Sequence, residues 1–534
     1  MSESFDRHRV AVIGGGIAGL SAAFHLRELM RTAGTPGETI VFERAAQSGG
    51  TTRTERIDGY TLDRGPNGWL SNEPLMDRLV DELGLTGEIV RSNDAARNRF
   101  IYTRGRLHRL PDSPPRFLTS GLLTLRQKLR VLGEVMVRGR RDDEDESVYD
   151  FGRRRLGKAF AETMLDPMVS GIFAGDVRRL SLPAAFPAMR QMELEYGGLF
   201  RAMIAKRRAA RRTSVGDRTE LAGERPGASG TLAGKPPVAP GAAPKTSGGP
   251  GGPGGVLTTL SGGVGRLTEE LGRQLGDCIR ANCQATMVCP HDGGFEVRFD
   301  GGCEHFDAVV VAVPAYAAAD LVNGFAPRAA EALAGIEFAD VAVVCHSFDS
   351  AAGLNGFGHL IPRGEGIRSL GCLWTSSIFP QQSAAGHTLL RTLLGGATDG
   401  SILGRSDDEL HDGALGDIRT VLGLEAAATN RWIFRHERGI AQYTMGHRGR
   451  VAVVDHLCAE LPGIAFVGAS YRGVSLNRCV RDAYTVAPTV LRKLGVPFEA
   501  PDGAALKTHS SDASTHETPA TRTTMNQKPL EPVR

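Results

Sequence analysis

Gly14, Gly16 and Gly19, inside VAVIGGGIAGLSAAFHL (residues 10–26), have the spacing G-x-G-x-x-G. Glycines so placed let backbone N–H groups close on a pyrophosphate. The first permits a tight turn, the second the approach of the phosphates, and the third close packing of helix on strand. Gly15, Ile17 and Ala18 complete the turn and carry the amides of the helix start, whose partial positive charge faces an anion. Glu43 ends TIVFE (residues 39–43), where a carboxylate can accept from ribose hydroxyls, and Arg44 follows it. The set predicts a ligand with an ADP half. It leaves FAD and NAD both open.

To be held in this way the glycines need a strand before them and a helix after. VAVI reads as a strand buried on both faces, Ala18 to Leu29 has the spacing of a packed helix, and TIVFE reads as the second strand. Gly49-Gly50-Thr51-Thr52-Arg53-Thr54 adds a second glycine pair soon after the ribose acid, which suits backbone wrapping a second part of the cofactor. LDRGPNGW sets Gly65, Pro66 and Gly68 around Asn67. Such low bulk suits close approach to a flat ring, although a plain turn explains the loop equally well on its own. Far along the chain, FVGASYRGVSLN offers a strand, glycines and a helix start at Val474, Ser475 and Leu476. A helix end aimed at a flavin would stabilise negative charge at its pyrimidine edge.

The chain has 534 residues, enough for two or three domains, with 41% apolar and 23% charged residues. A net charge of +3 gives no argument for nucleic acid, and none is expected as a partner. Eight scattered cysteines without a C-x-x-C pair read as single thiols, which fits a reducing compartment. The polar MSESFDRHR runs straight into the first strand, so a secretory signal is not expected, and no run of about 18 apolar residues suggests a membrane span. Close to half of Thr213 to Gly255 is Gly or Pro, so residues 206–255 read as a flexible insertion and 500–534 as a disordered tail. Leu118, Leu122, Leu125, Leu129, Leu132 and Met136 recur at helical spacing, with Arg126, Lys128, Arg130, Arg138, Arg140 and Arg141 on the other faces. Such a helix either lies on an anionic membrane or faces a core with a solvated basic side; the pattern alone favours the second.

Several stretches together make the resemblance specific: GGGIAGLSAAFHL, the GPNG loop, AARNRFIY, SGIFAGD with RRLSLPAAFP, GFGHLIPRGEG, SSIFP, IAQYTMGH and GASYRGVSLN. The sequence resembles the oxygen-dependent porphyrinogen oxidases of the FAD-containing amine-oxidase-like superfamily, over residues 10 to about 490. The resemblance implies an α/β fold: a Rossmann-like FAD-binding domain, a mixed-sheet substrate domain and a helical membrane-facing domain. The FAD domain would take residues 1–97, 256–329 and 441–499, the substrate domain 98–111 and 330–440, and the helical domain 112–205. One non-covalent FAD is implied, with Val288 added to the cofactor residues above.

The implied substrate is protoporphyrinogen IX, oxidised by six electrons to protoporphyrin IX with dioxygen as acceptor and hydrogen peroxide released. Arg99 would pair with a propionate, Leu360, Leu373 and Leu393 would form apolar walls, and the Gly171 carbonyl would accept from pyrrole N–H groups. The chemistry rests on the flavin, and no catalytic base is assigned; His359 and His387 are lone histidines of the kind that are usually structural. Coproporphyrinogen III, with four propionates, is the alternative substrate. An amine oxidase or desaturase on the same scaffold, and a non-enzymatic flavoprotein at a membrane surface, are more distant readings. The location implied is cytoplasmic, with a peripheral position on the inner face of the cell membrane, hand-off to a ferrochelatase and a homodimer all left open.

Overall fold

Strand β1 (His8–Ile13), helix α1 (Ile17–Thr32) and strand β2 (Gly37–Phe42) open the fold. The computed structural model describes residues 8–35, 37–220 and 255–497, without side chains for 210–220. The tail 500–534 and most of the expected insertion lie outside the described residues. A parallel five-stranded sheet runs in the order Ile279–Arg280, β2, β1, Ala308–Val311, Ile464–Phe466. The segments Val10–Ile13, Ile40–Phe42 and Ala308–Val311 are apolar and buried throughout because both faces are covered. Val10, Val12, Val41 and Val310 pack on α1 and the helix Leu476–Lys493. Ala11, Ile13, Phe42 and Val311 turn to the opposite core with Val288, Phe295 and Phe306 of a three-stranded antiparallel sheet.

A second, seven-stranded sheet is assembled from two distant parts of the chain. Its strands are β3 (Arg99–Thr103), β4 (Arg106–Arg109), β5 (Glu337–Phe348), β6 (Gly358–Leu360), β7 (Gly371–Leu373), β8 (Thr388–Gly395) and β9 (Asn430–Gln442). They lie in the order β9-β5-β8-β7-β6-β3-β4, with only the β6–β3 pair parallel. One face is closed by the helix Asp407–Leu422, against which Cys372, Leu390, Leu394 and Ala342 are buried. The other face turns toward the nucleotide-binding part, where Tyr60 and Leu62 pack with Val343, Cys345, Leu389 and Phe434.

Residues 112–220 are helical, including α2 (Leu125–Leu132), α3 (Val148–Arg155), α4 (Asp166–Phe173), α5 (Pro187–Tyr196) and α6 (Leu199–Glu220). Two expectations change here. The leucine series is not one helix: a short helix Pro114–Thr119, α2 and a 3₁₀ turn Gly133–Met136 share it, and Leu122 is buried between them. The segment expected to be flexible from 206 begins as helix, since α6 continues to Glu220. The orientation of α2 also departs from the pattern. Leu125, Leu129 and Met136 are 72%, 59% and 85% exposed. Lys128 is buried and donates to the carbonyls of Leu118 (2.7 Å) and Ser120 (2.6 Å). Arg130 donates to the carbonyls of Arg155 (2.9 Å) and Arg154 (2.7 Å). Cations thus tie the element down while its leucines face outward.

Beneath α2 lies a buried ion network. The Arg155 side chain has no exposed surface and bonds Glu134 and Glu193, while Arg154 reaches Glu146 and Glu193 at 2.8 Å each. Glu134 also accepts from the backbone N–H groups of Leu199 (2.8 Å) and Phe200 (3.2 Å), the otherwise unpaired donors that open α6.

Candidate active site

The glycine turn separates two physical roles. A Cβ on Gly19 would stand 1.9 Å from the Gly14 carbonyl oxygen, so that glycine is demanded by the protein's own packing. A Cβ on Gly16 would meet nothing within 4 Å. The space beside Gly16 is therefore open, and it adjoins the start of α1, which has no side-chain cap and no acidic residue in its first turn. An open volume beside uncapped amides suits a pyrophosphate. Glu43 leans over the turn: its Oε2 accepts from Gly15 N–H at 2.8 Å and its Oε1 from Ala45 N–H at 2.8 Å. Each oxygen keeps a lone pair for a ribose hydroxyl.

The second glycine pair reaches the first. Gly16 and Gly49 form an isolated bridge, Gly49 N–H donates to the Gly15 carbonyl at 2.7 Å, and Gly50 and Thr51 follow it, exposed. The Gly65–Gly68 loop stands beside them for a reason the sequence did not reveal. A Cβ on Gly65 would lie 2.3 Å from the Thr51 carbonyl, and one on Gly68 2.4 Å from that of Thr258, so both glycines are explained by backbone packing. Pro66 and Asn67 are half-buried between them. Ser475 caps the helix Leu476–Lys493 by accepting from Arg478 N–H, while Val474 packs at the edge of the core. Arg44 is exposed next to Glu43. Val288 departs from expectation, being fully buried in the core of the three-stranded sheet. The part of that stretch lying beside Glu43 is instead Asn282 and Cys283, whose N–H groups donate to Ala45 and Glu43 carbonyls at 3.1 and 2.9 Å.

The expected substrate residues fall on one face of the seven-stranded sheet, because paired positions in neighbouring strands point the same way and alternate along each strand. One cross-sheet row reads Arg99, Gly358, Leu373, Arg391, Cys345, Trp432; the next reads Ile101, Leu360, Gly371, Leu393, Val343, Phe434. Leu360, Leu373, Arg391 and Leu393 are half-buried, whereas His359, Cys372, Thr392 and Leu394 between them are buried. The alternation marks a cleft. Its opposite wall is the glycine loop: His436 bonds the Arg64 carbonyl (2.9 Å), and Arg391 donates to that of Gly65. Helix α4 closes one edge with Gly171, where a Cβ would lie 2.6 Å from Leu360 Cδ2. Gly171 is exposed in the last turn of α4, where carbonyls have no intrahelical donor.

Arg99 has its guanidinium carbon 5.1 Å from the Phe357 ring centroid, and no ion pair with it is formed among the described residues. It is exposed at the start of β3, and its guanidinium remains charged. His359 turns to the far face, accepts from Trp374 Nε1 at 3.3 Å, and is pushed by burial down to about 3. His387 bonds Tyr60 Oη at 2.8 Å. Neither histidine lies in the two cleft rows. Arg391 belongs to no motif in the sequence; a single arginine inside the apolar run TLLRTLLG is the one local signal that marks it.

A dinucleotide turn with a mixed sheet standing over it defines an α/β protein built to hold a dinucleotide cofactor against a second, substrate-facing sheet. The chain belongs to the family described as flavin containing amine oxidoreductase, whose sequence profile matches residues 17–491. The flavin cofactor is FAD, whose ADP half the open space beside Gly16 and the uncapped start of α1 would accommodate. The chain is similar to coproporphyrinogen III oxidase of Bacillus subtilis, 28% identical over 491 residues, which span 89% of this chain and 96% of that protein. It is similar also to human protoporphyrinogen oxidase, 29% identical over 510 residues, 90% of this chain and 98% of the other. Among solved structures, a protein of Exiguobacterium sp. 255-15, named provisionally as a protoporphyrinogen oxidase, superposes with a TM-score of 0.73 at 25% identity. That match covers 93% of this chain and all of the other.

Proposed function

We propose that the protein oxidises a porphyrinogen to the corresponding porphyrin, with dioxygen as terminal acceptor. The observation that supports this most is the cleft face itself: apolar side chains at Leu360, Leu373 and Leu393, with the unpaired guanidinium of Arg99 at one end. A macrocycle with a greasy body and carboxylate arms complements that arrangement. An amine oxidase reading is weakened by the same face, since a substrate arriving as an ammonium would meet two arginines.

When bound, FAD supplies the two-electron acceptor that dioxygen restores, so three rounds account for six electrons. The chain's own residues bind, orient and exclude water. Leucines on two rows flank the ring, Arg99 fixes the propionate edge, and the Gly171 carbonyl is available to a pyrrole N–H. No side chain of the two rows is a carboxylate or a histidine, so orientation is what the protein supplies. Anaerobic addition of protoporphyrinogen IX, coproporphyrinogen III or an amine to the FAD-loaded enzyme tests the reading. Bleaching by a porphyrinogen supports it, and bleaching by an amine alone overturns it.

Arg99→Ala is expected to raise KM about tenfold or more while kcat changes less, because a propionate contact is made equally in ground and transition states. Steady-state kinetics with an unchanged KM would remove Arg99 from the substrate site.

The outward leucines support a peripheral membrane position. No helix among the described residues is long and apolar enough to cross a membrane. Leu125, Leu129, Met136 and, on α6, Ile204 are exposed, and α6 is held to this region by Arg201 donating to the Val135 carbonyl at 2.8 Å. Lys206, Arg207 and Arg208 follow on the same helix, exposed. An apolar patch beside basic side chains matches an anionic bilayer surface. Co-flotation with vesicles containing anionic lipid is expected for the wild type and lost in Leu125→Glu/Leu129→Glu; flotation retained by that variant would place the contact elsewhere.

A further inference from the structure

Arg391 is the least expected member of the cleft. It lies in the middle of β8 with Leu373 and Cys345 as cross-strand neighbours, and its side chain is half-buried on the face that turns to the Gly65–Gly68 loop. One terminal nitrogen donates to the Gly65 carbonyl, and Nε is buried without a partner. No carboxylate of the described residues forms an ion pair with it. Asp63 is the nearest acid to influence it, but its oxygens are taken by Thr54 Oγ1 (2.6 Å), Val264 N–H (3.0 Å) and Gln382 Nε2 (3.1 Å). A guanidinium stays charged even where burial disfavours it, and an unpaired cation in such a place is costly unless an anion arrives.

Its position relative to Arg99 gives that anion a meaning. Both arginines stand in one cross-sheet row, on strands β3 and β8, with β6 and β7 between them. Three strand spacings put their backbones about 14 Å apart. Between them the row offers only Gly358, which has no side chain, and Leu373. The face therefore carries a cation at each end of an apolar floor. A porphyrinogen with carboxylates along one edge alone would satisfy Arg99 and leave Arg391 bare.

We propose that Arg391 is a second carboxylate anchor, which selects porphyrinogens bearing propionates on opposite edges of the ring over those bearing them on one. The inference rests on the porphyrinogen reading above and deepens it: a tetracarboxylate such as coproporphyrinogen III engages both arginines, whereas in protoporphyrinogen IX vinyl groups face Arg391. One charge-assisted pair of this kind is enough for roughly a tenfold preference.

The test compares wild type, Arg391→Thr and Arg391→Lys, each loaded with FAD, on both porphyrinogens. The ratio of kcat/KM for coproporphyrinogen III over protoporphyrinogen IX is expected to fall about tenfold or more in Arg391→Thr, and to be partly restored in Arg391→Lys. An unchanged ratio overturns the proposal, and so does an equal fall on both substrates, which would mark a role in the fold or toward the flavin. Product binding gives a second readout free of turnover. Quenching titrations should show coproporphyrin III binding wild type about tenfold more tightly than protoporphyrin IX; equal or reversed affinities overturn the anchor even if the variants fail to fold. A wild type that oxidises neither porphyrinogen defeats the reading beneath, an outcome distinct from an active enzyme whose ratio ignores Arg391.

Discussion

Gly19→Ala is expected to yield protein that retains no FAD and unfolds at a lower temperature. The added methyl would stand 1.9 Å from the Gly14 carbonyl oxygen and 3.0 Å from the Ala312 Cβ. Both are held by the parallel sheet, where Gly14 N–H donates to the Phe42 carbonyl at 2.9 Å and Ala312 N–H to that of Ile13 at 2.8 Å. Relief must come from lifting α1 off β1, and this moves the amides that would face the pyrophosphate. Gly16→Ala is the informative contrast. Its backbone is already extended, at φ −76° and ψ 177°, and the new methyl touches no protein atom within 4 Å. The fold should lose no more than about 0.5 kcal/mol, the scale of a surface change, while the methyl occupies the space a phosphate needs. Flavin-to-protein absorbance ratios and apoprotein melting curves separate the two variants. A Gly19→Ala protein with full flavin content would refute the packing argument. A Gly16→Ala protein that binds FAD as tightly as wild type would move the phosphates elsewhere.

The second large effect concerns Arg155. Its side chain is wholly buried between Glu134 and Glu193, themselves wholly buried. Arg155→Met removes the cation and leaves the buried Glu134 without an ionic partner, held only by the Leu199 and Phe200 N–H groups, while Glu193 keeps Arg154 and Arg190. This should cost about 3 kcal/mol in urea unfolding, the low end of the range for breaking a buried pair from one side. Arg153, two residues earlier and 62% exposed beside Asp150, provides the control: Arg153→Ala should cost less than about 1 kcal/mol. Similar losses in both would mean that the network is not what holds α2 and α6 in place. The same network sets a pH dependence. Burial pushes the Glu193 carboxyl up, but the bond from Arg154, the Arg140 N–H and the charges of Arg154 and Arg155 outweigh it and hold the group below its ordinary value. A depressed carboxyl contributes stability above its unfolded pKa of about 4.3 and loses it as pH falls through the lower folded value. Acid should loosen the helical region below about pH 4, and loss of helical signal in a circular-dichroism pH titration would report it.

Amphipathic pattern and structure part company most clearly at α2. Spacing alone favours leucines in a core and cations in water; in the structure Leu125, Leu129 and Leu132 are exposed and Lys128 is buried, although Arg126, Arg130 and Arg138 remain at the surface. Lys128 and Arg130 find backbone carbonyls at helix ends, acceptors that hydropathy does not count. Val288 fails for a related reason, since a valine in a strand is the same letter whether it faces a cofactor or a core, and here it is core. Asn282 and Cys283, which lie beside Glu43, act through backbone groups that no side-chain pattern announces.

What this sequence determined by itself is local: the turn from β1 into α1, the glycines within it and the acid that ends the next strand. Those features follow from short-range sterics, in which a few residues dictate the backbone whatever surrounds them. Only the tertiary structure decided the cleft face. Arg99 and Arg391 stand in one row because β3, β6, β7 and β8 pair in one register, and a shift of one residue would turn each side chain to the other face. That register is fixed by the two sides of the sheet together, the helix Asp407–Leu422 behind and the Gly65–Gly68 loop in front, so no single stretch of the chain contains it.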